Sequence, residues 1–142
     1  MKRATAYKWG QQIILHASSR TNAGVWILAD PVLVSEQNDP VRLGNKILTV
    51  LDGSKENIAH PTSWTGQFDV VLKLAGVRTW SVFAKSAKCV EIEFETNRIS
   101  FLPTRNLGGK GGFEPLSTKV LSSPPESPRL GTELLHAFDN AE

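Results

Sequence analysis

From Cys89 to Phe101 apolar and polar residues alternate. Val90, Ile92 and Phe94 interleave with Glu91, Glu93 and Glu95, and after Thr96-Asn97-Arg98 the pattern resumes at Ile99 and Phe101. A period of two is that of a pleated strand with one buried face. The segment therefore predicts a hairpin, apolar on one side and carrying three carboxylates on the other. Upstream, Ile13-Ile14-Leu15 and Val25-Trp26-Ile27-Leu28 are β-rich runs. The polar stretch from Ser18 to Gly24 between them reads as a hairpin loop. Pro31 bends or ends the second run, and Val32-Leu33-Val34 resumes it at a sheet edge.

Elsewhere the apolar spacing lengthens to that of helices. Asp39-Pro40 supplies an N-cap acceptor followed by proline at the first helical position. Leu43, Ile47, Val50 and Leu51 then make one stripe, with Gly53 as the stop. A second helix carries Phe68, Val71, Leu72 and Ala75 and closes at Gly76. A third opens with Thr79 and aligns Trp80, Phe83, Ala84 and Ala87. Val120-Leu121 adds a short strand, and Ser127-Pro128 starts a terminal helix with Leu130, Leu134, Leu135 and Phe138 as its buried stripe. No internal repeat or dividing linker is visible. The fold class expected is α+β: a single domain over 1–142, an antiparallel sheet with three to four helices packed on it.

With 142 residues, 40% apolar and 21% charged, the chain has the balance of a globular domain, able to bury about two-thirds of its unfolded surface. The net charge of +2 is mild, and the basic residues are spread along the chain. A nucleic-acid binder carries a denser basic stripe, so no nucleic acid is expected as partner. Cys89 is the single cysteine; no disulfide can form, which fits a reducing compartment. Met1-Lys2-Arg3 is followed by no apolar signal core, and no run reaches the roughly 18 residues of a membrane span. The expectation is a cytoplasmic protein with no membrane partner.

Candidate chemistry is sparse. His16, His60 and His136 are isolated from one another at any metal-ligand spacing, so no metal or cofactor is expected. Cys89 opens an apolar run, where a thiol acts as a small hydrophobe rather than a nucleophile. The loop Gly108-Gly109-Lys110-Gly111-Gly112 lacks the Lys-Ser/Thr and following helix of a phosphate loop. Arg105, beside Asn106, either receives an anion through its guanidinium fork or pins the glycine loop by bonding its carbonyls. Glu91, Glu93 and Glu95 are either a solvated face or an anionic patch that meets a basic partner. Trp80 has core spacing; Trp64, between Ser63 and Thr65, is either buried, the more common fate of a tryptophan, or an exposed anchor of the kind that dominates interfaces.

From about Leu43 onward the residues resemble a known family. The stretches are Gly44-Asn45-Lys46-Ile47-Leu48, Thr79-Trp80-Ser81-Val82-Phe83-Ala84-Lys85, Ile99-Ser100-Phe101-Leu102-Pro103-Thr104-Arg105-Asn106, Gly112-Phe113-Glu114-Pro115-Leu116, and the helix from Leu130-Gly131 to Phe138. Together they resemble the CdiI immunity proteins of bacterial contact-dependent growth inhibition systems, over about two-thirds of the chain. The first forty residues carry no part of the likeness, and Gly109-Lys110-Gly111 departs from the more polar loop of that pattern. The resemblance implies a cytoplasmic protein that binds and neutralises a cognate toxin, the C-terminal domain of a large exported CdiA-like protein. It implies no catalysis, and a nuclease as the toxin. The toxin contacts expected are Glu91, Glu93 and Glu95 first, then Trp64 and Arg105. Two rivals remain: a nucleic-acid-binding module using exposed aromatics with Lys and Arg, and an enzyme using Arg105 with Glu114 on a small phosphorylated substrate.

Overall fold

The computed structural model describes residues 1–36 and 39–142. Seven strands form one sheet: β1 (Lys2–Trp9), β2 (Gln12–Arg20), β3 (Trp26–Glu36), β4 (Lys88–Glu95), β5 (Arg98–Asn106), β6 (Phe113–Pro115) and β7 (Leu121–Ser123). Their order is β3-β2-β1-β4-β5-β6, β7 pairs with β5, and every pairing is antiparallel. Four helices, α1 (Pro40–Asp52), α2 (Asp69–Ala75), α3 (Trp80–Ser86) and α4 (Leu130–Asn140), pack on it. The α+β expectation holds.

The alternation in β4 sorts its side chains as expected. Val90 and Ile92 join Ala4, Ala6, Ile13, Leu15, Ile99 and Phe101 on one face, beneath Leu43, Ile47 and Val50 of α1 and Leu134 and Phe138 of α4. Asp39 caps α1 by accepting from the Arg42 amide at 3.1 Å. The two helices cross at glycines. A Cβ on Gly131 would stand 1.9 Å from the Pro40 carbonyl oxygen, so only glycine permits this approach. The turn of the β4–β5 hairpin is Thr96-Asn97, both at positive φ (54° and 58°), the backbone that a two-residue hairpin turn demands.

Several sequence expectations are displaced. The central strand, β1, falls where no strand was expected, and β2 continues through Ser18 and Ser19 to Arg20, shortening the supposed loop. Gly53 has φ −78° and is no left-handed stop; its Cβ would meet Pro31 at 2.5 Å, so the glycine serves a close approach to β3. The terminal helix starts at Leu130 rather than at Ser127-Pro128.

The opposite face of the sheet is only half covered. The short helices α2 and α3 cap its lower part, where Tyr7, Ile14, Val71, Phe83 and Cys89 form a second apolar cluster. Above that cluster the sheet floors a cleft.

Candidate functional site

The open half of the sheet presents two cross-strand rows of polar side chains. Strand register aligns His16, Thr5 and Glu91 across β2, β1 and β4, and aligns Ser18, Arg3 and Glu93 one step further along. Such rows stand about 5 Å apart from strand to strand, close enough for side chains to bond. Trp26 and Leu28 of β3 close one side. The loop after α1 closes the other. It is laced to the strand ends by Ser54, whose Oγ donates to the Ser18 carbonyl at 2.5 Å and accepts from the Arg3 amide at 2.9 Å. The same loop pairs with Arg20 and Asn22 through the Lys55 and Ile58 carbonyls, each at 2.8 Å, and so brings Trp64 and Phe68 over the floor. The result is a cleft of about 340 Å³ with a polar floor and an aromatic rim.

Charge on the floor is shared unequally. Arg3 lies 3.8 Å from a Glu91 oxygen and 3.5 Å from Glu93, and its guanidinium sits 5.2 Å from the centre of the Trp26 ring. Thr5 donates its hydroxyl to Glu91 at 2.9 Å. Burial raises the Glu91 pKa despite that bond and the nearby Arg3. The three carboxylates share one strand face, as the alternation predicts, but differ in surroundings. Glu91 and Glu93 are half-buried beside Arg3, and Glu95 alone is exposed, near the hairpin turn.

His16 is buried, and its Nδ1 lies 2.7 Å from the Ala17 carbonyl, so that nitrogen carries the proton. Desolvation lowers its pKa to about 4, leaving a neutral imidazole at physiological pH. Cys89 is buried below the floor, its thiol pushed up by burial and by neighbouring Glu91. A thiol so placed is a poor nucleophile.

Trp64 is 54% exposed and stands on the rim, edge-on to His60 at 5.4 Å. His60 is itself held by the Thr21 hydroxyl at 3.0 Å. Trp80, expected in the core, is half-buried and packs against Tyr7, Phe68 and Phe83 at the boundary between the covered and open halves.

Arg105 lies elsewhere. Its Nε and Nη2 both donate to one Glu142 oxygen at 3.1 Å, and Nη1 is 3.7 Å from Glu114. Flanked by two carboxylates, this guanidinium is a poor receptor for a phosphate. It does not pin the glycine loop either. Asn106 does, accepting from the Gly108 amide at 2.8 Å while donating to the Ala84 and Ala87 carbonyls at 2.5 and 2.8 Å. Of the predicted residues, Glu91 and Trp64 line the cleft, Glu93 joins it through its ion pair with Arg3, and Glu95 and Arg105 are not part of the lining. Sequence reasoning missed Arg3, Thr5, His16 and Trp26, whose strands it had not placed beside β4.

Among the described residues no group of His, Cys, Asp and Glu is arranged to hold a metal, and no helix is long and apolar enough to cross a membrane. The sequence matches no family model and no curated protein. Its fold is shared with solved structures. One is a protein of unknown function from Neisseria meningitidis, at a TM-score of 0.82 and 14% identity, covering 99% of this chain and 95% of that one. Another is a chain of the CdiA-CT/CdiI toxin and immunity complex from Yersinia pseudotuberculosis, at a TM-score of 0.80 and 13% identity, covering 99% of this chain and 97% of that one. Identities this low establish a common fold.

Proposed function

We propose that this protein is an immunity protein: it binds a cognate toxin domain and blocks it by occupying or covering the toxin's active site. The observation that carries this reading is the end-to-end likeness, over 99% of this chain, to a chain of a toxin and immunity complex. The open face of the sheet supports it. A half-buried polar floor ringed by Trp26, Trp64 and Phe68 has the composition of an interface centre, where aromatic anchors and shielded charges concentrate binding energy. A contact of about 1,600 Å² built around this cleft is enough for tight, stoichiometric inhibition.

The partner in this reading is the C-terminal toxin domain of a large exported CdiA-like protein, acting on the cytoplasmic side, and the toxin is a nuclease. A nuclease must gather phosphates and is basic at its cleft, so the carboxylates of Glu91, Glu93 and Glu95 give complementary charge and a faster encounter. The protein itself needs no catalytic residue: the thiol of Cys89 is buried and protonated, and His16 is neutral and buried. The test is protection. Cells expressing the toxic domain encoded beside this gene are expected to grow when this chain is co-expressed and to stop when it is absent. Growth arrest in both cases overturns the reading.

A further inference from the structure

Two buried hydrogen-bonding atoms of the cleft residues lack a hydrogen-bond partner among the described residues, Arg3 Nε and His16 Nε2; Arg3 Nε still faces the Glu93 carboxylate at 3.5 Å, which leaves His16 Nε2 as the unserved one. His16 is 3% exposed, and with its proton on Nδ1 directed to the Ala17 carbonyl, Nε2 is a lone-pair acceptor. Nε2 is buried and has no hydrogen-bond partner among the described residues. Buried polar atoms are nearly always satisfied, so an orphaned acceptor lining a cleft calls for a donor from outside.

The surroundings restrict what that donor is. Glu91 lies two strands away in the same row, with Thr5 between them, and Glu93 lies in the next. One cation, Arg3, serves both carboxyl groups at 3.8 and 3.5 Å, so acidic groups outnumber cations on the floor. Because the imidazole is neutral, it offers a lone pair and adds no positive charge. An anion would meet carboxylates and a lone pair. A neutral amide would satisfy Nε2 and leave two carboxyl groups sharing one cation. A cationic donor meets both needs, and Trp64 and Phe68 on the rim give its apolar stem a wall and its charge an aromatic face.

We propose that the cleft is a socket for one basic side chain, a lysine or arginine of the partner, with His16 Nε2 and the Glu91 carboxylate as its acceptors and Trp64 and Phe68 as its wall. The identity of the partner rests on the immunity reading; the chemistry of the socket does not.

Two probes isolate that chemistry. n-Butylguanidinium and n-butylammonium chloride are titrated into the full-length protein, with butyramide as the neutral control, while nitrogen NMR follows His16 Nε2. The expected result is a saturable shift of Nε2 with a Kd of about 1 mM for at least one cation, the scale reached by so few heavy atoms, and binding of butyramide at least about tenfold weaker. Glu91→Gln is expected to weaken the cation about tenfold. Trp64→Ala, at an exposed position that leaves folding intact, is expected to weaken it about threefold. No saturable shift, or equal binding of butyramide, overturns the socket. So does undiminished cation binding in a folded Glu91→Gln protein; should that variant unfold, Trp64→Ala and the butyramide comparison decide. A toxin complex that forms with wild-type protein lacking this probe response sinks the socket and spares the immunity reading. A probe response in a protein that binds no toxin does the reverse.

Discussion

Replacing His16 by phenylalanine keeps a ring in the floor of the cleft and removes its titration. In the folded protein burial holds the imidazole pKa at about 4, against 6.5 for the free side chain. As pH falls below about 6.5 the unfolded chain takes up a proton on His16 that the folded chain refuses until about pH 4. His16 therefore lowers stability progressively across that window, and the loss is complete once pH lies below both values. At about 1.4 kcal/mol per pH unit the full effect is about 3 kcal/mol, of which about 2–3 kcal/mol is present at about pH 4.5. Because the ring is nearly inaccessible, solvent does little to screen this figure. Glu91, on the same floor, works in the opposite sense. Its raised pKa makes the folded state the better proton acceptor, so its contribution grows as pH falls through its folded pKa toward the ordinary carboxylate value. That contribution is common to both proteins and cancels in their comparison. Urea denaturation of wild type and His16→Phe at about pH 7 and about pH 4.5 measures it. Wild type is expected to lose about 2–3 kcal/mol more than the variant on acidification. A difference below about 0.5 kcal/mol would refute the claim that a buried, neutral imidazole lines this cleft.

Three further outcomes follow from packing and burial. Gly131→Ala forces α1 from α4 at the Pro40 carbonyl and is expected to cost about 1–3 kcal/mol, read as a lower urea midpoint. Asn106→Ala strands the Ala84 and Ala87 carbonyls and the Gly108 amide; about 2 kcal/mol of stability is expected to go, measured the same way. Cys89, 1% exposed with its thiol pushed up by burial, is expected to react with a thiol reagent at least about a hundredfold more slowly in buffer than in urea.

The helices and the β4–β5 hairpin were legible because each announces itself locally. Asp39-Pro40 fixes the start of α1, Thr79 caps α3 by accepting from the Val82 amide at 3.3 Å, and the two-residue alternation sets every side chain of β4. The central strand was not legible. In β1 the inward positions include Ala4 and Ala6, too small to raise an apolar signal, while Arg3 and Thr5 face the cleft and Tyr7 joins the second apolar cluster. Small residues suit a strand packed beneath α1, so this central element is inconspicuous in sequence. The candidate site followed the same logic. Glu91, Glu93 and Trp64 stood out by charge and size, but their partners became visible only through the register of β1 with β2 and β4. Arg105 looked like a receptor because nothing local reveals Glu142, which is 37 positions away and bonds it at 3.1 Å.

The proposed immunity function rests on recognition without chemistry, and calorimetry of this protein against the purified toxin domain proposed as its partner tests that most directly. It predicts a one-to-one complex with a Kd of about 10 nM or tighter, weakened by Glu91→Gln and indifferent to Arg105→Ala. Absence of heat and of a complex at about 10 μM of each protein would contradict it.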